Sequence, residues 1–258
     1  MKTMIKRMSV IVMAFMVAAN MAACIGLDQI QAKQVEQALE ARYGEEFKVT
    51  RIGNRLGSGD PTTAEAYCHP VANPDILFRA RIDSDGNLLN EDYIGAVLRN
   101  QMKECLLQSF EADGMEVQIN GFFTMGNAVG DYTEIDVKAE DAVAQSAQYG
   151  VCYCMDIAMK DTGNDEEMAE AIYHSAEAAL DIDENIRVFM VVYIIESDRY
   201  EECKEFARQY DDGLSIQEYY DFGAIRDVVE GVNEGYKDEE VIGIQKTAED
   251  ILQEWEAE

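Results

Sequence analysis

The sequence predicts an α+β protein: an N-terminal helix, a three-stranded antiparallel sheet and a second helix, followed by a second, mixed α/β layer. Three observations carry this expectation. Apolar residues recur at three- and four-residue steps over residues 28–43 and 91–110. They alternate in twos along three segments between those stretches. Beyond residue 113, strand-like and helix-like patterns take turns.

In the first helix Ile30, Val35, Ala38, Leu39 and Tyr43 fall near one face, and Gly44 follows as a C-cap. Phe47, Val49 and Ile52 alternate next, as do Ala64, Ala66 and Cys68, and then Ile76, Phe78, Ala80 and Ile82. Breaks at Gly57-Ser58-Gly59-Asp60-Pro61 and Asn73-Pro74 separate these three strands. Ile94, Val97, Leu98, Met102, Cys105, Leu106 and Phe110 form the stripe of the second helix. A helix, three strands and a turn such as Asp83-Ser84-Asp85-Gly86-Asn87 loosely resemble the PepSY-type modules of exported bacterial proteins, over residues 28–90. That resemblance implies something about fold and nothing about function.

The second layer opens with strands over 117–123 and near 132–137 and a brief helix over 140–148. Val151, Tyr153, Met155, Ile157 and Met159 then alternate with Cys152, Cys154, Asp156 and Ala158, which predicts a strand with the cysteines on its second face. Asn164 and Glu167 offer a capping box for a helix reaching about Asp181. Phe189–Ile195 is an unbroken apolar run, too short to span a bilayer, and reads as a strand buried on both faces. Helices are expected over 198–210, after the Ser215/Glu218 pair, and from Thr247 to Glu258, where the single Trp255 lies. The organisation that follows is a signal segment over 1–23, an α+β domain over 24–112, a second α/β domain over 113–212 and a helical C-terminal segment over 213–258.

The N-terminal residues indicate an address. Lys2, Lys6 and Arg7 precede an apolar run from Met8 to Ala19, which has the form of a secretory signal. The exit Met21-Ala22-Ala23-Cys24 resembles the lipobox of bacterial lipoproteins, with Met21 where leucine is usual. The resemblance covers about the first 25 residues. It implies cleavage before Cys24, lipid on that cysteine, and a chain held at the outer face of the cell membrane. Acyl chains contribute about 0.8 kcal/mol per buried methylene, enough for stable anchoring when two or more are attached.

Composition narrows the partners. Removing residues 1–23 takes away three cations and no carboxylate, so the net charge of −30 becomes −33. Such a body is repelled by nucleic-acid phosphates and by anionic headgroups, so no nucleic acid is expected and the membrane is met through Cys24 alone. With Cys24 lipidated, Cys68, Cys105, Cys152, Cys154 and Cys203 remain, an odd number that speaks against a fully paired disulfide framework.

Candidate chemistry is sparse. Cys152-Tyr153-Cys154 puts two thiols, and Asp156 beyond them, on one face of a strand, where a soft metal could sit; buried cysteines acting as small hydrophobes are the commoner outcome. Cys68 and His69 are neighbours on a strand and face opposite ways, so they do not form a nucleophile and base. His174 follows Glu170 by four residues, the spacing of a helical ion pair. In Asp83-Ser84-Asp85-Gly86-Asn87 the register that places Gly86 sixth puts Arg81 first, where calcium needs a carboxylate, so a turn is expected. The acidic clusters Asp165-Glu166-Glu167 and Asp238-Glu239-Glu240 read as helix starts or solvated faces, and Gly57-Ser58-Gly59 lacks the lysine of a phosphate loop. No catalytic residue, cofactor or metal is assigned. The expected role is a non-catalytic binding or interaction module of the cell envelope, meeting an envelope protein or a small ligand. The alternatives are an envelope hydrolase of cell-wall polymer or peptide, and a ligand-binding subunit of a transporter.

Overall fold

The computed structural model describes residues 29–53, 63–125, 142–148, 150–184, 186–207, 223–230, 232 and 244–257. Among them are six helices and two four-stranded sheets, so the chain is α+β. It divides into two compact units, Met1–Tyr93 and Ile94–Glu258. The signal segment with Cys24, the break at 57–61, the expected strand near 132–137, the helix expected after Ser215 and the cluster Asp238-Glu239-Glu240 lie outside the described residues.

In the first unit, helix α1 (29–43) ends as expected at Gly44, whose φ of 74° lets its amide reach back to the Glu40 carbonyl at 2.8 Å. Strands β1 (Phe47–Gly53), β2 (Thr63–Pro70), β3 (Phe78–Asp83) and β4 (Leu88–Glu91) form an antiparallel sheet in sequence order. The sheet thus has four strands where the sequence predicts three. β4 escapes a periodicity reading because Leu88-Leu89-Asn90-Glu91 shows no alternation of buried and exposed residues. The spacing of Phe47, Val49 and Ile52 also has a structural cause. The pairing of β1 with β2 slips between Val49 and Arg51, leaving Thr50 as an extra residue, so the step from Val49 to the next apolar side chain, half-buried Ile52, lengthens from two to three.

The aromatic rings of Tyr43, Phe47, Phe78 and Tyr93 pack mutually, with centroids 4.8 to 5.9 Å apart. One carboxylate closes this cluster. Glu91, with only 1% of its side chain exposed, accepts from the Tyr43 hydroxyl at 2.5 Å and from the Tyr93 amide at 2.6 Å, and meets Arg42 at 3.2 Å. The buried charge is therefore bonded on both oxygens, which is what makes it tolerable there. A turn falls at 83–87 as expected, and the pairing of β3 with β4 makes it a hairpin where the sequence leaves a hairpin or a strand-to-helix turn open. Asp83 accepts from the amides of Asp85 and Asn87 at 2.9 and 2.8 Å, and Gly86 takes a φ of 85°.

The second unit holds helix α2 as far as Ala112 (Tyr93–Ala112, its first residue closing the other unit), then β5 (Val117–Met125), α3 (Ala142–Gln148), β6 (Val151–Lys160), α4 (Asp165–Ile182), β7 (Arg187–Ile195), α5 (Tyr200–Ala207), β8 (Ile225–Glu230) and α6 (Ala248–Ala257). Its sheet runs β5-β6-β7-β8. β6 and β7 are parallel and joined through α4, while β5–β6 and β7–β8 are antiparallel. Pattern alone does not distinguish these pairings; the crossover helix does.

β7 is central, and both of its faces are covered. Val191, Tyr193 and Ile195 join Ala158 against Tyr200, Cys203 and Ala207 of α5. The alternate residues Val188, Met190, Val192 and Ile194 are buried on the other side. There α3 supports β6 through a hydrogen bond between the Ser146 and Tyr153 hydroxyls at 2.6 Å. Each large apolar side chain so buried contributes about 1.5–3 kcal/mol, which accounts for the unbroken apolar run. α4 starts as predicted, with Asn164 accepting from the Glu167 amide at 3.4 Å and three carboxylates in its first turn.

Candidate binding cleft

β8 lies at the edge of the described sheet, and its register with β7 slips once. Ile225 pairs with Ile195 and Asp227 with Ile194, so Arg226 is the extra residue of a β-bulge. Bulges turn a side chain out of the alternation. Here the Arg226 guanidinium reaches Asp161 after β6 at 3.0 Å and Asp165 at the start of α4 at 2.8 Å, and lies over the Trp255 ring of α6 at 5.6 Å. One bulged arginine thus ties the edge strand to the β6–α4 turn and to the C-terminal helix.

That helix is held in its own right. Thr247 and Asp250 cap one another, the Thr247 amide donating to Asp250 at 2.8 Å and the Asp250 amide to the Thr247 hydroxyl at 3.2 Å. The Thr247 hydroxyl, which also donates to the Asp250 carboxylate at 2.7 Å, and the Thr247 amide together hold the Asp250 carboxyl below the usual carboxylate range. Ile251 is fully buried. Lys246, just before the cap, meets Glu254 at 2.7 Å.

Between β8 and this segment opens a cleft of about 540 Å³, within the range of small-ligand and peptide sites. Ile225, Arg226, Asp227 and Val228 all line it, together with Glu230, Lys246 and Glu254. Successive strand residues point to opposite faces, so a cleft lined by four in a row runs along the strand's edge. Arg226 is engaged by two carboxylates and Lys246 by Glu254, and Asp227 and Glu230 also line the cleft.

The residues singled out by sequence fall elsewhere. Cys68 is fully buried opposite Phe78 in the core of the first sheet, whereas His69 turns to the other face and contacts the Pro70 carbonyl at 2.9 Å, so the two do not meet. Burial pushes the Cys68 thiol up to about 12, with the Glu36 and Glu91 carboxylates adding to the rise, and burial pushes Cys203 up to about 11. Neither is poised as a nucleophile. His174 does not take Glu170 as its ion-pair partner. Its Nδ1 lies 3.0 Å from Asp113, because α2 and α4 pack so closely that the Cys105 thiol donates to the Ala178 carbonyl. No disulfide joins Cys68, Cys105, Cys152, Cys154 and Cys203 among the described residues. Cys152, Cys154 and Asp156 share one face of β6, as expected. Sequence reading missed β8 and Arg226 altogether. The signal was present in Ile225, Val228 and Val229, but the bulge breaks the alternation that would reveal a strand.

No family model and no curated protein matches the chain. Its fold is similar to the crystal structure of a DUF5037 family protein from Ruminococcus gnavus, with a TM-score of 0.56 at 15% identity, over 88% of this chain and 99% of that one. At that identity the likeness concerns fold.

Proposed function

We propose that the chain is an exported bacterial lipoprotein, anchored through Cys24 at the outer face of the cell membrane, whose body is a non-catalytic binding module of the envelope. The cleft along β8 is its docking place, and the occupant is an extended, positively charged segment of another envelope protein. The observation that carries this reading is the β8 edge itself, the outer strand of the sheet among the described residues, with three carboxylates and two cations lining the cleft beside it. A strand margin recognises extended peptide through main-chain hydrogen bonds, and flanking charges select the sequence. The raised thiols of Cys68 and Cys203 support a binding role over nucleophilic chemistry at those positions.

Capture from native membranes tests it. Wild type, Glu230→Arg and Cys24→Ala are compared by mass spectrometry of the co-purified proteins. A partner with a basic extended segment retained by wild type and lost by Glu230→Arg supports the cleft. A partner set indifferent to Glu230→Arg contradicts it, and one indifferent to Cys24→Ala removes the anchor from partner selection.

A further inference from the structure

We propose that Cys152 and Cys154 form a two-coordinate site for a soft monovalent metal ion, with the chemistry of Cu(I). The two residues stand two apart on one face of β6, so their thiols leave the strand side by side. Both residues are only half-buried, which leaves an entry path. Thiolates select soft cations, and among the described residues no group of three or more histidines, cysteines or carboxylates forms the larger ligand set that zinc requires. Two thiolates around a monovalent ion leave one negative charge; on the same face stand Arg187, the register partner of Cys152 on β7, and the Asp156 carboxyl.

The fold favours a bound ion over a disulfide between the same sulfurs. Residues two apart on an extended strand are separated by roughly 6.6 Å, whereas a disulfide draws its Cβ atoms to about 3.5–4.5 Å. β6 is paired along this stretch with β5 on one side and β7 on the other, and cannot pucker without breaking both pairings. Two metal–sulfur bonds of about 2.3 Å place the sulfurs up to about 4.6 Å apart and leave the strand straight. Binding breaks two S–H bonds, forms two S–metal bonds and releases two protons to solvent, and nothing is oxidised or reduced. This site is independent of the β8 cleft.

The test is anaerobic titration of the reduced full chain with Cu(I) against bicinchoninate, followed by the sulfur-to-copper absorption in the ultraviolet. One bound ion is expected that is lost in Cys152→Ser and in Cys154→Ser and retained in Cys68→Ser and Cys203→Ser. Arg187→Gln should weaken it by about tenfold, as loss of a supporting charge does. A chain that takes no Cu(I) from the competitor, or serine variants that bind like wild type, overturns the proposal. Should a serine variant fail to fold by circular dichroism, the wild-type chain decides. Ag(I) must then protect Cys152 and Cys154 from iodoacetamide, mapped by mass spectrometry, and alkylation of both in its presence is the contrary result.

Discussion

Asn120 and Asp156 face each other across the β5–β6 pairing, the amide nitrogen of one buried with no hydrogen-bond partner among the described residues and the carboxyl of the other buried beside it. Opposed residues on paired strands sit about 5 Å apart at Cβ, so each shapes the other's surroundings. The Asn120 carbonyl oxygen is already taken by Gln118 at 3.2 Å. Asp156 therefore sits in a poorly solvated place, and burial pushes its carboxyl up to about 7.

Stability should accordingly fall with rising pH on account of Asp156. Between its ordinary value of 3.8 and about 7, the folded chain keeps a proton that the unfolded chain has released. This group's stabilisation is complete below the lower value and lost by the time pH passes the upper one, a change of about 4 kcal/mol. Asp156→Asn should abolish that slope and raise stability at alkaline pH. Urea midpoints of both proteins at about pH 5 and about pH 8 check it, and equal slopes count against a buried, raised carboxyl.

Replacing the bulged arginine should loosen the C-terminal segment. Arg226→Gln removes two ion pairs and a contact with Trp255, and since the guanidinium is partly exposed the cost should be about 1–2 kcal/mol. Arg226→Lys, which cannot span Asp161 and Asp165 as a fork does, should recover less than half. Trp255 fluorescence is the readout; an emission maximum unchanged in Arg226→Gln would mean that the arginine does not cover the indole.

Cys68 and Cys203 should resist modification in the native state. With the Cys68 thiol near 12, about one molecule in ten thousand is thiolate at pH 8, before access is considered. Counting thiols with a disulfide reagent in native buffer and in denaturant should show both as latent. Rapid native labelling of Cys68 would contradict the burial described for β2.

Gly86 and Gly114 provide a matched pair of backbone probes. Both have positive φ, 85° and 75°, which costs an alanine about 1–2 kcal/mol. At Gly114 a Cβ would meet nothing within 4 Å, but at Gly86 it would come within 3.1 Å of Gln31 and also displace the Gln34 amide. Gly86→Ala should therefore destabilise more than Gly114→Ala, by thermal unfolding. The reverse order would mean that α1 does not pack against the β3–β4 turn as described.

The sequence made the regular parts of this fold legible. β7 announced itself because a strand covered on both faces has no polar side to interrupt Phe189–Ile195, and α2 because Ile94, Leu98, Met102, Leu106 and Phe110 recur every four residues and are all buried. What stayed hidden is irregular. Thr50 and Arg226 each add one residue to a strand, which offsets the alternation by which strands are recognised. β4 is four residues long, and the partner of His174 lies 61 residues away in sequence, set by helix packing that local spacing does not encode. The candidate cleft fell on one such irregularity, which is why none of the residues weighed from sequence lies in it.

The export claim is most directly tested at the N-terminus. Protein extracted from membranes of producing cells should begin at Cys24, lack residues 1–23, and carry the added mass of a diacylglycerol on that cysteine by intact-mass and peptide mass spectrometry. A chain retaining Lys2 to Ala23, or one beginning at Cys24 with an unmodified thiol, would contradict the account.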